Sequence, residues 1–183
     1  QGTVSLSRQI SKALNMPREN VHLRSGNVGG GFGYKIFLHP EQLCVSWAAK
    51  KLRKTVRWQQ DRSEGFVSDL QGRDIHSFAK ALVSNTGKIK ALQFKNHANL
   101  GSWLSNFGVY VPTKSTCRTL TTLYDISFVS FEVTGVVTNT PAIDAYRGAG
   151  RPEANYMMER LMDKIAFDLK LDRIEVRKVN LIQ

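Results

Sequence analysis

The stretch AYRGAGR, residues 145–151, decides how this chain folds, because it joins a predicted strand to a predicted helix. Residues 126–138 before it are rich in β-branched and aromatic side chains, which favour a long strand. After it, apolar residues keep helical spacing from Ala154 to Leu169, with Pro152 near the start, where a helix tolerates proline. The sequence therefore predicts a strand, a glycine-rich loop and a helix in direct succession.

A second glycine-rich loop, GGGFGYK at residues 29–35, follows a short strand predicted at residues 21–25. Glycines can adopt positive φ and point N–H groups into one concavity, which suits an anion. Tyr34 stands directly before Lys35, which excludes a P-loop, and neither loop has the glycine spacing of a dinucleotide fingerprint. Each loop alone leaves a plain surface turn as an open alternative.

The start of the predicted C-terminal helix is a second candidate anion site. A helix N-terminus carries N–H groups and a partial positive charge, so an anion beside residues 148–150 would be stabilised, with Arg147 adding a bidentate contact. The alternative is that Arg147 and Arg151 pair with Glu153 and Glu159 on the surface.

The remaining segments alternate helices and strands without repeats or low-complexity tracts. Helical spacing predicts a first helix that stops before Pro17, a second that begins at Pro40, and a last one capped by Asp172. Strands are predicted at residues 56–60, 76–83 and 88–98, the last two forming a hairpin around residues 85–87. The second helix is expected to turn one side inward, with Leu43, Cys44, Trp47 and Ala48 on it.

This mixture predicts an α+β fold with a mixed β-sheet packed against helices. The length of 183 residues is enough for one sizeable core, so we expect a single domain over residues 1–183. No apolar run approaches the length of a membrane span, and no secretory leader is evident. Cys44 and Cys117 lie far apart, which argues against a disulfide framework or a zinc site.

The net charge of +11 suggests a binding module for RNA or another polyanion as one hypothesis. The charges are spread over the chain, however, and the densest run, KKLRK at residues 50–54, ends a predicted helix, where cations favour the helix dipole. A solvated helix end is the preferred interpretation, which disfavours nucleic acid. The charge can also face an acidic partner or a dianionic cofactor.

Both loops, together with DRSE (61–64), TNTP (138–141) and RKVNLI (177–182), resemble the molybdopterin-binding large subunit of the xanthine dehydrogenase family of molybdenum hydroxylases. The branch they resemble most includes the aerobic carbon monoxide dehydrogenase large chain. The resemblance implies an oxidoreductase with a molybdenum-pterin cofactor, either molybdopterin itself or its cytosine dinucleotide form. It also implies iron–sulfur and FAD groups on partner subunits or domains, and a cytoplasmic location.

The resemblance assigns cofactor-binding roles to six residues. It implies that Gln1 hydrogen-bonds the apical oxygen of molybdenum, that Phe32 lines the metal side, and that Arg147 contacts the cofactor. No residue of the chain is expected to bind molybdenum directly, because in this family the pterin dithiolene and exchangeable ligands hold the metal. The cofactor-binding residues are Gln1, Gly31, Phe32, Gly33, Arg147 and Gly148.

Departures from the family pattern bear on the substrate. Purine-oxidising members have Glu, Arg and Phe where this chain has Ile36, Ser115 and Ala149, and carbon monoxide-oxidising members have a copper-binding Cys where it has Gly148. Neither xanthine nor carbon monoxide is therefore expected. Ile36, Ser115 and Ala149 are predicted to line a pocket for an aldehyde or an N-heteroaromatic substrate.

The resemblance implies a catalytic glutamate base far downstream, which this chain lacks. Glu64, Glu153 and Glu175 are interpreted as loop, cap and helix-face residues. We therefore expect a fragment of a large subunit, inactive when isolated, whose partners are the rest of that subunit and the iron–sulfur and flavin subunits. A non-catalytic structural fragment remains an alternative.

Overall fold

A computed structural model describes residues 2–183 of the chain. It contains two compact units, Gln1–Asp69 and Leu70–Gln183. The single domain expected over residues 1–183 stays a prediction.

The first unit contains helices and extended loops. Its helices are α1 (Thr3–Ala13), α2 (Pro40–Leu52) and α3 (Arg62–Ser68), with short 3₁₀ turns at Arg18–Asn20 and Tyr34–Ile36. The predicted end of α1 before Pro17 and the start of α2 at Pro40 are confirmed.

Both strands predicted in the first unit, at residues 21–25 and 56–60, are wrong. These segments are extended or irregular, and every strand pairing among residues 2–183 lies in the second unit. A β-strand needs a hydrogen-bonded neighbour, so β-branched composition alone does not produce one.

The predicted inward side of α2 is wrong for Cys44 and Trp47, while Leu43 and Ala48 are partly buried. No residue of α2 is buried, Cys44 is exposed, and Trp47 is 52% exposed. Helical spacing shows which residues share a side of a helix, but it does not show that anything in this unit covers them. The Nζ of Lys51 lies 4.8 Å from the centroid of the Trp47 ring, a cation–π contact at the surface.

The second unit is built on a three-stranded sheet in the order β1-β2-β3, comprising β1 (Ile75–Val83), β2 (Ile89–Gly101) and β3 (Phe128–Val137). Strands β1 and β2 pair antiparallel across the predicted turn at residues 85–87, and β2 and β3 pair parallel. The predicted mixed sheet is therefore confirmed.

Helix α4 (Arg151–Leu169) supplies the other half of the core of this unit. Met158 and Met162 are 0% exposed and belong to one apolar cluster with Phe94 of β2, so the methionine-rich side of the helix is core. Helix α5 (Arg173–Lys178) follows, and the Asp172 carboxylate caps it by accepting the N–H groups of Ile174 and Glu175 at 2.8 and 3.1 Å.

A buried tyrosine connects the segment before β3 to α4 and α5. The Tyr124 hydroxyl donates to Glu159 Oε1 at 2.6 Å, and Arg177 donates to Glu159 Oε2 at 2.9 Å and to Asp163 Oδ1 at 2.9 Å. Burial, and then the hydrogen bond to Glu159, raise the pKa of Tyr124 to about 12. The hydrogen bond from Arg177 lowers the pKa of Asp163.

Among the described residues, none of the helices combines the length and apolar character needed to span a membrane.

Candidate functional site

The first glycine loop, residues 29–35, has a backbone that few sequences can adopt. Gly30, Phe32 and Gly33 have φ values of 121°, 46° and 99°. Positive φ is strained for a residue with a Cβ, so Phe32 keeps this conformation at a cost. The loop closes when the Lys35 N–H donates to the Gly31 carbonyl at 3.3 Å.

The outer surface of this loop combines an aromatic ring with bare backbone. Phe32 is 48% exposed. A Cβ added to Gly30 would lie 2.8 Å from the Phe32 ring, so the ring packs directly over that glycine. A Cβ added to Gly29 would meet nothing within 4 Å, so the backbone there is open to approach.

The end of the first loop and the residue after it are held by side-chain contacts. Lys35 Nζ lies 3.7 Å from Asp69 Oδ2, and the ring of His39 contacts the Tyr34 carbonyl at 2.7 Å. Ile36 is partly buried at the end of the 3₁₀ turn. Gln1 lies outside the described residues, so its role stays a prediction.

The second glycine loop reaches α4 through three consecutive residues with positive φ. Gly148, Ala149 and Gly150 have φ values of 98°, 41° and 95°. Ser115, which lies at the end of a short π-helical turn at Val111–Ser115, donates its hydroxyl to the Ala149 carbonyl at 2.5 Å. The structure thus brings together two of the predicted pocket residues, Ser115 and Ala149.

Gly150 packs against backbone. A Cβ on this residue would lie 2.8 Å from the Thr116 nitrogen and 2.9 Å from the Val111 carbonyl oxygen. These are backbone atoms that cannot turn aside, so Gly150 is required by space as well as by φ.

The predicted anion site at the start of α4 needs correction. The Gly150 N–H donates to Glu153 Oε2 at 2.9 Å, and the Ala149 N–H donates to the Tyr146 carbonyl at 2.8 Å. A carboxylate of the chain itself therefore occupies this helix end, as a glutamate in the third helical position commonly does. Arg147 and Gly148, directly before this helix end, are exposed.

The glutamates considered as surface partners are engaged elsewhere. Glu153 lies 3.7 Å from Arg73 Nε, and Glu159 accepts from Arg177. Arg151 donates to the Gly148 carbonyl at 3.2 Å.

Arg73 is a residue of the site that sequence reasoning missed. Its guanidinium lies over the Tyr146 ring, with Cζ 4.4 Å from the centroid, and its Nη2 donates to the Tyr146 carbonyl at 3.3 Å and to the Arg147 carbonyl. No motif marks a lone arginine before a strand, and its partners are more than seventy positions away.

A groove of about 700 Å³ opens beside the second loop, between the start of β1 and the start of α4. On its floor, Met157 Sδ accepts from Ser77 Oγ at 2.9 Å and from Asn96 Nδ2 at 3.5 Å. The groove is lined by Arg73, Ile75, Ser77, Pro152, Glu153, Tyr156 and Met157.

Residues 1–181 match the family model described as the molybdopterin cofactor-binding domain. The chain belongs to this family. The resemblance to molybdenum hydroxylases drawn from its motifs is confirmed, since this family model matches and curated relatives include a carbon monoxide dehydrogenase large chain.

Curated relatives support this family assignment. The chain is 32% identical over 179 residues to the carbon monoxide dehydrogenase large chain of Hydrogenophaga pseudoflava, covering 95% of this chain and 22% of the relative. It is 30% identical over 176 residues to the 6-hydroxypseudooxynicotine dehydrogenase complex subunit gamma of Paenarthrobacter nicotinovorans, covering 96% and 22%. The chain therefore spans about a fifth of the length of these relatives.

Solved structures share the fold. Quinoline 2-oxidoreductase from Pseudomonas putida 86 matches with a TM-score of 0.92 at 27% identity, covering 100% of this chain and 23% of that one. Carbon monoxide dehydrogenase from Oligotropha carboxidovorans matches with a TM-score of 0.88 at 27% identity, with the same coverage. The α+β class is confirmed by these neighbours.

Each glycine loop, taken by itself, exposes groups whose chemistry suits a molybdenum-pterin cofactor. In the first loop the backbone at Gly29 is open, and the exposed Phe32 ring can pack on a heterocycle. In the second loop Arg147 and Gly148 are exposed, and the Arg147 guanidinium can donate to oxygen atoms of a ligand. Residues 2–183 contain no group of three or more His, Cys, Asp or Glu arranged to bind a metal ion.

Proposed function

We propose that this chain supplies the molybdenum side of a molybdopterin site, as a single cofactor-binding domain over residues 1–183. The observation that carries the proposal is the geometry of the second loop. Its three residues of positive φ are held by the hydrogen bond from the Ser115 hydroxyl to the Ala149 carbonyl, while Arg147 and Gly148 are exposed. A loop ordered before it meets its ligand loses less entropy on binding. The proposed contacts are Gln1, Gly31, Phe32, Gly33, Arg147 and Gly148.

Each proposed contact has a physical role. The Arg147 guanidinium donates to oxygen atoms of the pterin or its phosphate, and the exposed backbone of Gly148 lies next to it in the chain. Phe32 presents an exposed apolar ring that excludes water from the metal side. Bound molybdopterin would supply the redox chemistry of hydroxylation with oxygen from water, while the protein supplies orientation and electrostatics.

We propose that the complete enzyme oxidises an aldehyde or an N-heteroaromatic compound in a pocket lined by Ile36, Ser115 and Ala149. The Ser115 hydroxyl is engaged with the Ala149 carbonyl, so this part of the wall presents no charged group. Two relatives, quinoline 2-oxidoreductase and the nicotine 6-hydroxylase large subunit, support the heteroaromatic class. Gly148, in place of the cysteine of carbon monoxide-oxidising members, also supports it.

The catalytic base belongs, on this proposal, to another part of the protein. Glu64 contacts the Asp61 N–H at 3.3 Å, Glu153 caps α4, and Glu175 pairs with Lys178 at 2.8 Å, so each of these carboxylates has a local structural partner. The isolated chain is therefore expected to be inactive.

The wider assembly follows from the same resemblance. We propose that the chain assembles with the rest of a large subunit and with iron–sulfur and flavin partners. We also propose that its pterin can carry a cytosine dinucleotide and that the enzyme is cytoplasmic. Relatives named as a large chain and as subunit gamma of a complex support a multisubunit enzyme. The family match does not favour the RNA-binding alternative.

Cofactor retention tests the proposal. The protein as its gene encodes it, made in a host that synthesises molybdopterin, is compared with Arg147→Gln and with Arg160→Gln, an exposed arginine of α4 that makes the same charge change. Loss of a charged hydrogen bond costs about 1.5–3 kcal/mol, so molybdenum should leave Arg147→Gln about 10-fold to 100-fold faster. Equal release rates for all three proteins, or no molybdenum in the parent, would reject the proposal.

A further inference from the structure

We propose that Arg73 is a positioning residue that fixes the backbone of the second loop so that Arg147 and Gly148 meet the cofactor. This inference rests on the proposed function, because it concerns the same loop. It assigns a role to a residue that no motif marks and that lies outside both glycine loops.

The first support is a pair of hydrogen bonds to the loop backbone. Arg73 Nη2 donates to the carbonyl oxygen of Tyr146, at 3.3 Å, and to that of Arg147. These two peptides lie directly before Gly148, where the run of positive φ begins. A charged donor binds a carbonyl more strongly than a neutral one, so the bonds hold the point at which the backbone turns.

The second support is the connection from Arg73 to the first turn of α4. Arg73 Nε lies 3.7 Å from Glu153 Oε1, while Glu153 Oε2 accepts the Gly150 N–H at 2.9 Å. The Glu153 side chain is 9% exposed and that of Arg73 is 30% exposed, so solvent screens this pair less than a surface pair. The loop is therefore held at both ends, before Gly148 by Arg73 and at Gly150 by Glu153.

The third support is the close backbone approach that brings Arg73 to the loop. The Gln71 N–H donates to the Ala142 carbonyl at 3.0 Å, and the Asp144 N–H donates to the Gln71 carbonyl at 2.8 Å. A Cβ on Gly72 would lie 2.8 Å from Tyr146 Cβ, so a glycine is needed between these contacts and Arg73. Arg73 itself has a φ of 61°, a strained value that the surrounding contacts maintain.

The stacking of Arg73 on Tyr146 fixes the orientation of the guanidinium group. With Cζ 4.4 Å from the ring centroid, the planar guanidinium lies over the ring while its edge reaches the carbonyls. Lysine carries the same charge, but its ammonium group is not planar. It cannot stack on the ring while it donates hydrogen bonds to two carbonyls. Arg73→Lys should therefore restore only part of the function.

The test combines proteolysis of the loop with the state of the cofactor. In the complete protein, trypsin can cleave the Arg147–Gly148 bond, whereas Pro152 protects the bond after Arg151. Parent, Arg73→Gln, Arg73→Lys and the matched control Arg160→Gln are digested briefly, and cleavage at Arg147 is followed by mass spectrometry. Molybdenum release and the electron paramagnetic resonance spectrum of the molybdenum centre are recorded on the same preparations.

We expect about 10-fold faster cleavage at Arg147 in Arg73→Gln, from the loss of charged hydrogen bonds, with an intermediate rate in Arg73→Lys and no change in Arg160→Gln. Molybdenum release should rise in the same order, and the spectrum of Arg73→Gln should change. Unchanged cleavage in Arg73→Gln would overturn the inference. Faster cleavage with unchanged release and spectrum would also overturn it, since Arg73 would then order the loop without positioning the cofactor.

Failure of the proposed function would look different. A parent protein without molybdenum rejects the cofactor site, and the inference with it, whatever the cleavage rates. If Arg73→Gln does not accumulate as folded protein, Arg73→Lys, which keeps the charge, decides by the same two measurements. Parental cleavage and release in Arg73→Lys would then overturn the inference.

Discussion

The two glycine loops are alike in sequence but differ in how their backbones are held. In the second loop, a Cβ on Gly150 would meet two backbone atoms within 3 Å, and Ser115 and Arg73 hydrogen-bond the neighbouring carbonyls. In the first loop, a Cβ on Gly29 would meet nothing within 4 Å. The glycines therefore have different roles: Gly150 is required because backbone atoms of Val111 and Thr116 pack against it, whereas Gly29 leaves its backbone open.

Gly150→Ala should have the largest effect on stability. It forces a Cβ into a left-handed conformation and against the backbone of Thr116 and Val111, so we expect a loss of about 2–5 kcal/mol in the free energy of unfolding. Urea unfolding followed by circular dichroism measures it. A loss no greater than that of Gly29→Ala would abolish the distinction between the loops.

Ser115→Ala should have the next largest effect. It removes the buried hydroxyl that donates to the Ala149 carbonyl at 2.5 Å, so stability should fall by about 1–3 kcal/mol. The same unfolding experiment measures the change, and Thr113→Ala, which removes a hydroxyl whose bonds are to Val109 and Tyr110, serves as a control from the same turn. A neutral result for Ser115→Ala would mean that the second loop does not depend on this support.

Tyr124→Phe should have a smaller effect that depends on pH. Loss of the bond to Glu159 should cost about 1–2 kcal/mol near neutral pH. Since the folded pKa of Tyr124, about 12, lies above its ordinary value of 10.0, its contribution is complete below pH 10.0 and disappears as the pH rises through about 12. The stability difference between parent and variant, from thermal melts across this range, should shrink with rising pH. A constant difference would contradict the assignment.

Gly29→Ala should have the smallest effect on stability, within about 0.5 kcal/mol, because the site is open and its φ is not left-handed. The cofactor should nevertheless be retained less well, because the added methyl obstructs the exposed backbone. Molybdenum release and urea unfolding, measured on the same preparation, separate the two effects. A large loss of stability with unchanged release would reverse the roles assigned to the loops.

Local patterns were sufficient where neighbouring residues decide the structure. The composition of β3, the apolar spacing of α4 and the Asp172 cap each depend on residues that are close together in sequence. All three predictions are confirmed. The strands predicted at residues 21–25 and 56–60 fail because a strand depends on a partner elsewhere in the chain.

In the candidate site, too, features set by residues close in sequence were predictable and contacts between distant residues were not. Its motifs led to the family, but Arg73 could not be found, because its contacts join residues distant in sequence. The carboxylate that fills the start of α4 could have been foreseen, since Glu153 stands at the third helical position, where glutamate often returns to the helix start.

The most direct test of the account is an anomalous difference map, collected at the molybdenum absorption edge, from crystals of the complete protein with its cofactor. We predict a molybdenum peak whose pterin contacts Arg147 and the backbone of Gly148, with the carbonyl of the neighbouring Ala149 hydrogen-bonded by Ser115. A pterin bound elsewhere in the protein, with Arg147 and Gly148 facing solvent, would contradict it.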